Sequence, residues 1–456
     1  MTRWLPLKLE ACVLAAICLL AFCSQAPAQY SVIGYYPTWL NGTIPANQVH
    51  WDVITHVNHA FAWPLANGTI TTDQMPVDTA VINSAHRAGR KILISLGGAS
   101  QSGAFAGIAA DSALRKTFAA NLLAYVSTNR YDGADLDWES PASSADRANE
   151  VALVHAIRDA FSTVNTPLLL TMAIGATAYS GQWRDYASLL AYVDWFNVMT
   201  YDFHGSWSSH AGHNAPLYAS SGDNDGSVDQ SIFYLQRTRG IPASRLVLGL
   251  PFYGQQFSAS KLYGPSTGGG AMLYSDIAPL IDAGWSAMWD SVAMVPYLVA
   301  PRNNAVVSYD DSLSLTLKCA YAKSHSLAGV MIWALGEDMV NGTQPLMTAV
   351  GIAMAATSDI AEQKSAGVPS GASLDQNYPN PFNPKTVISG QWTADSDVRL
   401  VVYDLLGREI AVLANGRYPA GRYTFAFDAT NLSSGVYLYR LTAGAHSAVR
   451  KMLVLR

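Results

Sequence analysis

The stretch YDGADLDWES, residues 131–140, sets Asp132, Asp135, Asp137 and Glu139 into a run that otherwise reads as apolar. In an extended strand, successive side chains point to opposite faces. Asp135, Asp137 and Glu139 therefore share one face, and Ala134, Leu136 and Trp138 share the other. Neighbours along the acidic row lie ~6.6 Å apart at ~3.3 Å of rise per residue. An apolar row under helices with an acidic row facing away from them fits a strand of a parallel barrel, with the acids pointing toward its C-terminal mouth. Carboxylates this close cannot all ionise comfortably. At least one pKa should rise and the titrations should be coupled. That suits a reaction needing a protonated acid at mild pH. A calcium or magnesium site and a solvated strand edge are the competing readings. The first lacks the glycine-bearing loop spacing of an EF-hand, and the second conflicts with the apolar flanks.

Working outward, eight strand-like runs follow one another: SVIGYYP (31–37), HVNHAFAW (56–63), KILISLGG (91–98), GADLDWE (133–139), LLLTMAIG (168–175), DWFNVMTYD (194–202), LVLGLPFYG (246–254) and GVMIWALG (329–336). Helical patterns lie between most of them, among them segments 78–90, 111–130 and 145–161. Strand alternating with helix implies parallel strands joined by crossover helices. Eight such units over ~320 residues predict an α/β fold, a (β/α)8 TIM barrel, expected over residues 29–354. The long gap between the seventh and eighth runs holds the Gly-rich LYGPSTGGGAM, and a small insertion is expected there to wall the mouth.

Half of the 456 residues are hydrophobic and only 13% are charged, with a formal net charge of −5. A large core follows, while a nucleic-acid partner does not, since no Lys/Arg run marks a basic patch. Arg3 and Lys8, the apolar run 11–22 and Ala26-Pro27-Ala28 read as a secretory leader over residues 1–28. The apolar run is too short to span a membrane, and the bulk of Phe22 speaks against lipidation at Cys23. Beyond the leader only Cys319 remains, on a helical pattern, where it reads as a small core residue. The ten histidines form no cluster along the sequence, and no CxxC or HExxH motif is present, so neither metal nor cofactor is expected. His204, in YDFHG, reads as loop support.

With its neighbours, the acidic strand resembles the DxxDxDxE signature of glycoside hydrolase family 18, the chitinase family. Ser95-Leu96-Gly97-Gly98, Met199-Thr200-Tyr201-Asp202, Pro251-Phe252-Tyr253-Gly254 and Met331-Ile332-Trp333-Ala334 agree in order on the third, sixth, seventh and eighth runs. The resemblance implies a monomeric, substrate-assisted hydrolase of chitin or N-acetylglucosamine oligosaccharides. By it, Glu139 is the general acid, and Asp137 orients the substrate acetamido group while sharing a proton with Asp135. Tyr201 bonds the acetamido carbonyl, Asp202 holds the sugar or Glu139, and Trp333 floors the reacting subsite. Met199, Tyr35, Trp39, Phe61, Trp207 and Tyr253 are further substrate-binding candidates, against a plain packing role for each aromatic ring. Trp285 and Trp289 are weaker candidates of the same kind. Ala99 and Gln255 depart from the Trp and Arg common in the family, which bears on the flanking subsites. An endo-β-N-acetylglucosaminidase acting on N-glycans and a chitin-binding lectin are the alternatives. The lectin is disfavoured because Glu139 is present.

After about residue 355 the composition turns polar and aperiodic, a linker expected over 355–372. From Ser373 to Arg456, Pro/Asn-rich sequence gives way to short alternating strands, predicting an Ig-like β-sandwich. QNYPNPFNP (376–384), VYDLLGRE (402–409), AGRYTFAFD (420–428) and LSSGVYLYRL (432–441) resemble the C-terminal sorting domain of type IX secretion substrates. That resemblance implies the type IX secretion machinery as a partner and a secreted or cell-surface destination. A carbohydrate-binding module is the alternative, and would need an exposed aromatic row. Tyr423, Phe425 and Phe427 share a face and are the candidates for one.

Overall fold

The computed structural model describes residues 30–355 and 373–454, apart from 73–76, 100, 140, 221–222, 224, 378–379, 381, 383, 393–394, 405–407 and 445. The expected leader and nearly all of the expected linker lie outside the described residues. The chain divides into two compact units, with the boundary between Ala355 and Ala356.

In the first unit all eight predicted runs are strands: Ser31–Pro37, His56–Pro64, Lys91–Gly97, Gly133–Asp137, Leu169–Gly175, Phe196–Met199, Leu246–Pro251 and Gly329–Trp333. Each pairs in parallel with the next, and the first strand pairs with both the second and the last, closing the barrel. The runs are apolar because both faces of such strands are covered, by helices outside and by each other inside. Ala134, Leu136 and Trp138 are buried in the outer core with Phe105, Leu153 and Ile157. The helices begin where polar residues cap them. Asp111 accepts from the Ala113 and Leu114 amides at the start of Ser112–Asn129, and Ser143 accepts from Asp146 N at the start of Ser144–Phe161.

The expected insertion is present between the seventh and eighth barrel strands. It is a five-stranded antiparallel sheet, ordered Gly269–Leu273, Tyr253–Phe257, Val306–Ser308, Val295–Val299, Ser286–Asp290, with the helix Tyr274–Asp282. Ile277, Leu298, Val307 and Tyr309 form its core, and Trp285 packs against them.

The second unit is a β-sandwich of antiparallel sheets. One joins Ser373–Leu374, Lys385–Trp392 and Gly421–Asp428; the other joins Glu409–Tyr418, Ser396–Tyr403, Gly435–Ala443 and His446–Val454. Ile388, Trp392, Leu400, Val402, Tyr439 and Leu441 fill its centre. The aromatic row of the Gly421–Asp428 strand belongs to this core. Tyr423 stacks on the buried Trp392 at 4.6 Å between ring centroids, and Phe427 meets Phe382 at 6.0 Å.

Candidate active site

Strand register assembles the site. Ser95 and Thr171 are the in-register neighbours of Asp135 on the flanking strands, so all three side chains meet inside the barrel. Asp135 is fully buried and its carboxylate is saturated with donors. Tyr35 Oη (2.7 Å) and Ser95 Oγ (2.9 Å) donate to Oδ2, and Thr171 Oγ1 (2.6 Å) and Asn197 Nδ2 (3.0 Å) donate to Oδ1. Burial raises its pKa and these four bonds oppose the rise. Four donors thus converge on the two oxygens of Asp135.

Asp137 is the opposite case. It is buried, and its Oδ1 has no hydrogen-bond partner among the described residues. Burial pushes its pKa well up, the charges of Glu139 and Asp135 push it further, and Arg184 opposes them. Glu139 stands just past the strand end, where its main-chain carbonyl accepts from Ser102 Oγ at 3.0 Å. Glu139 keeps exposed surface, with its carboxyl partly withdrawn from water. Loss of water raises its pKa, the charge of Asp202 adds to the rise, and Arg184 opposes it. The remaining acid of the stretch, Asp132, sits at the other end of the strand. There it accepts from Lys91 Nζ (2.8 Å), Ile92 N (2.9 Å) and His86 Nε2 (3.0 Å), and it has a structural role.

The SLGG motif makes room for this strand. Gly97 has φ +110°, and a Cβ there would lie 2.3 Å from the Asp137 carbonyl oxygen. Gly98 N donates to that same oxygen at 3.0 Å. The backbones approach so closely that only glycine fits.

Tyr201 is buried in the barrel interior with Tyr35, Phe61, Tyr253 and Met331, and Trp333 and Met199 are partly buried against them. Among the described residues its hydroxyl meets only a weak acceptor, Met331 Sδ at 3.9 Å. Asp202 follows in the left-handed region at φ +57°, held by its amide donating to Asn214 Oδ1 at 3.0 Å. Its carboxylate accepts from Gln255 Nε2 at 2.9 Å and from the Tyr253 hydroxyl. Gln255 thus still binds Asp202, through a single amide donor where a guanidinium would bring a charge.

The aromatic candidates divide. Tyr35 and Trp333 lie 5.4 Å apart, Phe61 stacks near Trp333 at 5.8 Å, and Trp39 extends the row at 6.2 Å from Phe61. Trp39 is half exposed, so the row runs from the interior to solvent. Trp207 is exposed on the loop after Asp202, its ring against Gly205. Trp285 belongs to the insertion's own core.

Two charged residues escaped the sequence reading. Arg184 is buried, donates from Nη2 to the Trp138 carbonyl, and places Nη1 2.9 Å from Glu150 Oε1. That last contact is an ion pair without hydrogen-bond angles, and burial holds Glu150 at about 7 despite it. Arg184 is thus a fixed positive charge behind the acidic strand. Glu337, also buried, accepts from Ala334 N at 3.0 Å beside Trp333, and burial raises it to about 7. Nothing in the local sequence marks either residue, because their partners lie far along the chain or in the backbone.

Residues 31–338 match the family model for glycosyl hydrolases family 18, and residues 376–455 match that for a secretion system C-terminal sorting domain. Chitinase A1 from Niallia circulans is 30% identical over 401 residues, covering 69% of this chain and 57% of that protein. The Group IV chitinase of Ostrinia furnacalis superposes with a TM-score of 0.66 at 29% identity, covering 72% of this chain and 100% of the other. A family 18 N-acetylglucosaminidase from Paenibacillus barengoltzii does so with a TM-score of 0.65 at 30% identity, covering 71% and 99%. The chain spans about half the length of the curated relatives it matches. The closed barrel, the in-register acidic strand and a family match over most of the chain agree: this protein belongs to glycosyl hydrolases family 18.

Proposed function

We propose that this protein is a secreted chitinase that cleaves β-1,4-linked N-acetylglucosamine polymers by a retaining, substrate-assisted mechanism. One observation carries the reading. Inside the barrel, among the described residues, the Asp137 Oδ1 atom is buried without a partner, and the neighbouring buried Tyr201 hydroxyl has only a thioether to bond. An unfilled acceptor beside an unspent donor is the complement of an amide, and the 2-acetamido group supplies both halves.

In the first step Glu139, whose pKa its surroundings raise, gives its proton to the glycosidic oxygen as the anomeric C–O bond breaks. The acetamido carbonyl oxygen, oriented by Tyr201, bonds to the anomeric carbon and forms an oxazolinium ring. Asp137 accepts the N–H of this ring, and with Asp135 behind it the acidic row faces the developing positive charge. In the second step the Glu139 carboxylate takes a proton from water as that water attacks the same carbon and opens the ring. Trp333 offers the sugar an apolar face at the subsite floor, and Trp39 and Trp207 serve flanking sugars. The expected leader over residues 1–28 and the tail's match to a secretion system C-terminal sorting domain favour export through a type IX secretion system.

Incubating the purified protein with chitin oligomers and with a high-mannose glycoprotein, followed by mass spectrometry, tests the substrate. The expected result is internal cleavage of the oligomers with the glycoprotein intact. Release of N-acetylglucosamine monomers alone would indicate an exo-acting enzyme, and trimming of the glycoprotein would indicate an endo-β-N-acetylglucosaminidase.

A further inference from the structure

We propose that His204, His210, Asp223 and Asp225 form a binding site for a divalent transition metal, with zinc the best match, that clips together the loop after the sixth barrel strand. The four ligand atoms all lie within 4.8 Å of one another. His204 Nε2 is 3.1 Å from His210 Nε2, 3.4 Å from Asp223 Oδ2 and 3.0 Å from Asp225 Oδ2, and His210 Nε2 is 3.5 Å from Asp225 Oδ2. A tetrahedron with metal–ligand bonds of ~2.0 Å has six edges of about 3.3 Å; the four distances above bracket that value, and the other two pairs lie within 4.8 Å.

Hydrogen bonding alone accounts poorly for the arrangement. His204 Nε2 carries at most one hydrogen, yet three potential acceptors crowd it within 3.4 Å. A cation bonded to all four atoms satisfies each of them. The surroundings also orient the ligands as metal sites require. His204 Nδ1 lies 3.0 Å from the His213 carbonyl oxygen, so it donates there and leaves the Nε2 lone pair free. Asp223 Oδ1 is occupied by the Asp225 amide at 2.9 Å, which leaves Oδ2 to face the cluster. A Cβ on Gly212 would lie 2.4 Å from the His204 ring, so the chain uses a glycine to let that ring in. Two imidazoles with two carboxylates match zinc better than the all-oxygen shells of calcium or magnesium. His204 and Asp223 are buried, whereas the side chains of His210 and Asp225 are 31% and 49% exposed, so the inner ligands are fixed and a metal can enter from the outer side.

All four ligands lie on the connection between the sixth strand and the helix Val228–Phe233, which also carries Asp202 and Trp207. A metal here would brace the segment bearing those two residues without touching substrate.

The test uses full-length protein stripped with a chelator and then titrated with ZnCl2, followed by calorimetry and thermal melting. One zinc per chain is expected to bind and to raise Tm by several degrees. CoCl2 should give the intense visible absorption of four-coordinate cobalt. His210→Ala and Asp225→Asn, both at exposed positions, should abolish the cobalt spectrum and the zinc-dependent rise in Tm while the stripped proteins melt as the stripped wild type does. Absence of zinc binding, zinc binding that survives both substitutions, or a larger Tm response to CaCl2 than to ZnCl2 would overturn the proposal.

Discussion

Asp137 and Glu139 are two positions apart, but their surroundings assign them different work. Asp137 is buried with its Oδ1 unpartnered among the described residues, whereas Glu139 keeps exposed surface. Glu139→Gln is nearly isosteric and removes only the proton donor. Turnover should fall by roughly 10²–10⁴ with melting unchanged, and near-normal turnover in a folded variant would sink the assignment. Asp202 tests the electrostatics. Its charge helps raise the Glu139 pKa, so Asp202→Asn should lower that pKa. The acid is active when protonated, so the basic limb of the kcat/KM profile should move to lower pH. A limb that stays in place or moves to higher pH contradicts the coupling. At this scale the sequence is legible where chemistry repeats along a strand. Polar Thr171 and Asn197 inside apolar runs were signals for the Asp135 network that local spacing did not use. Arg184 and the His204 cluster were not legible at all, since only the fold brings their partners together.

The eight barrel strands were legible because each is buried on both faces and so reads as an unbroken apolar run. The insertion was visible only as a gap. Its strands are short, and Ser286–Asp290 and Gly269–Leu273 keep exposed or half-exposed faces, so neither composition nor period sets them apart from loop. Two predictions belong to elements. Gly97→Ala forces a Cβ against the neighbouring strand's backbone at positive φ. The conformation alone costs about 1–3 kcal/mol, and activity should fall with stability because the acidic strand must shift. A variant with wild-type Tm and activity contradicts the close approach. Glu337 sits where the last barrel strand turns out of the barrel, with its folded-state pKa raised from 4.5 to about 7. Between those values the folded state binds more protons than the unfolded one, so stability falls as pH rises through that window. Glu337→Gln should therefore raise Tm at pH 8 and leave it unchanged near pH 4. Equal Tm differences at both pH values would contradict the buried-acid account.

At the scale of the molecule, the two compact units carry separate expectations. The tail matches the family model for a secretion system C-terminal sorting domain, and Tyr423 of its aromatic row stacks on the buried Trp392. Deleting residues 373–456 should leave hydrolysis of soluble oligomers intact while the protein is retained in the periplasm of a host with type IX secretion. Unchanged release into the medium, with binding to insoluble chitin lost, would favour a carbohydrate-binding tail. The central claim concerns the barrel: the substrate's own acetamido group attacks the anomeric carbon, held by Asp137 and Tyr201. Two successive inversions then leave the first-formed product in the β configuration. Proton NMR of chitin oligomers, recorded within the first minutes of hydrolysis and before mutarotation, reads this directly. The account predicts the β-anomer first, and no comparable cleavage of oligomers whose reacting unit lacks the N-acetyl group. The α-anomer appearing first, or equal rates on cellulose oligomers, would contradict it.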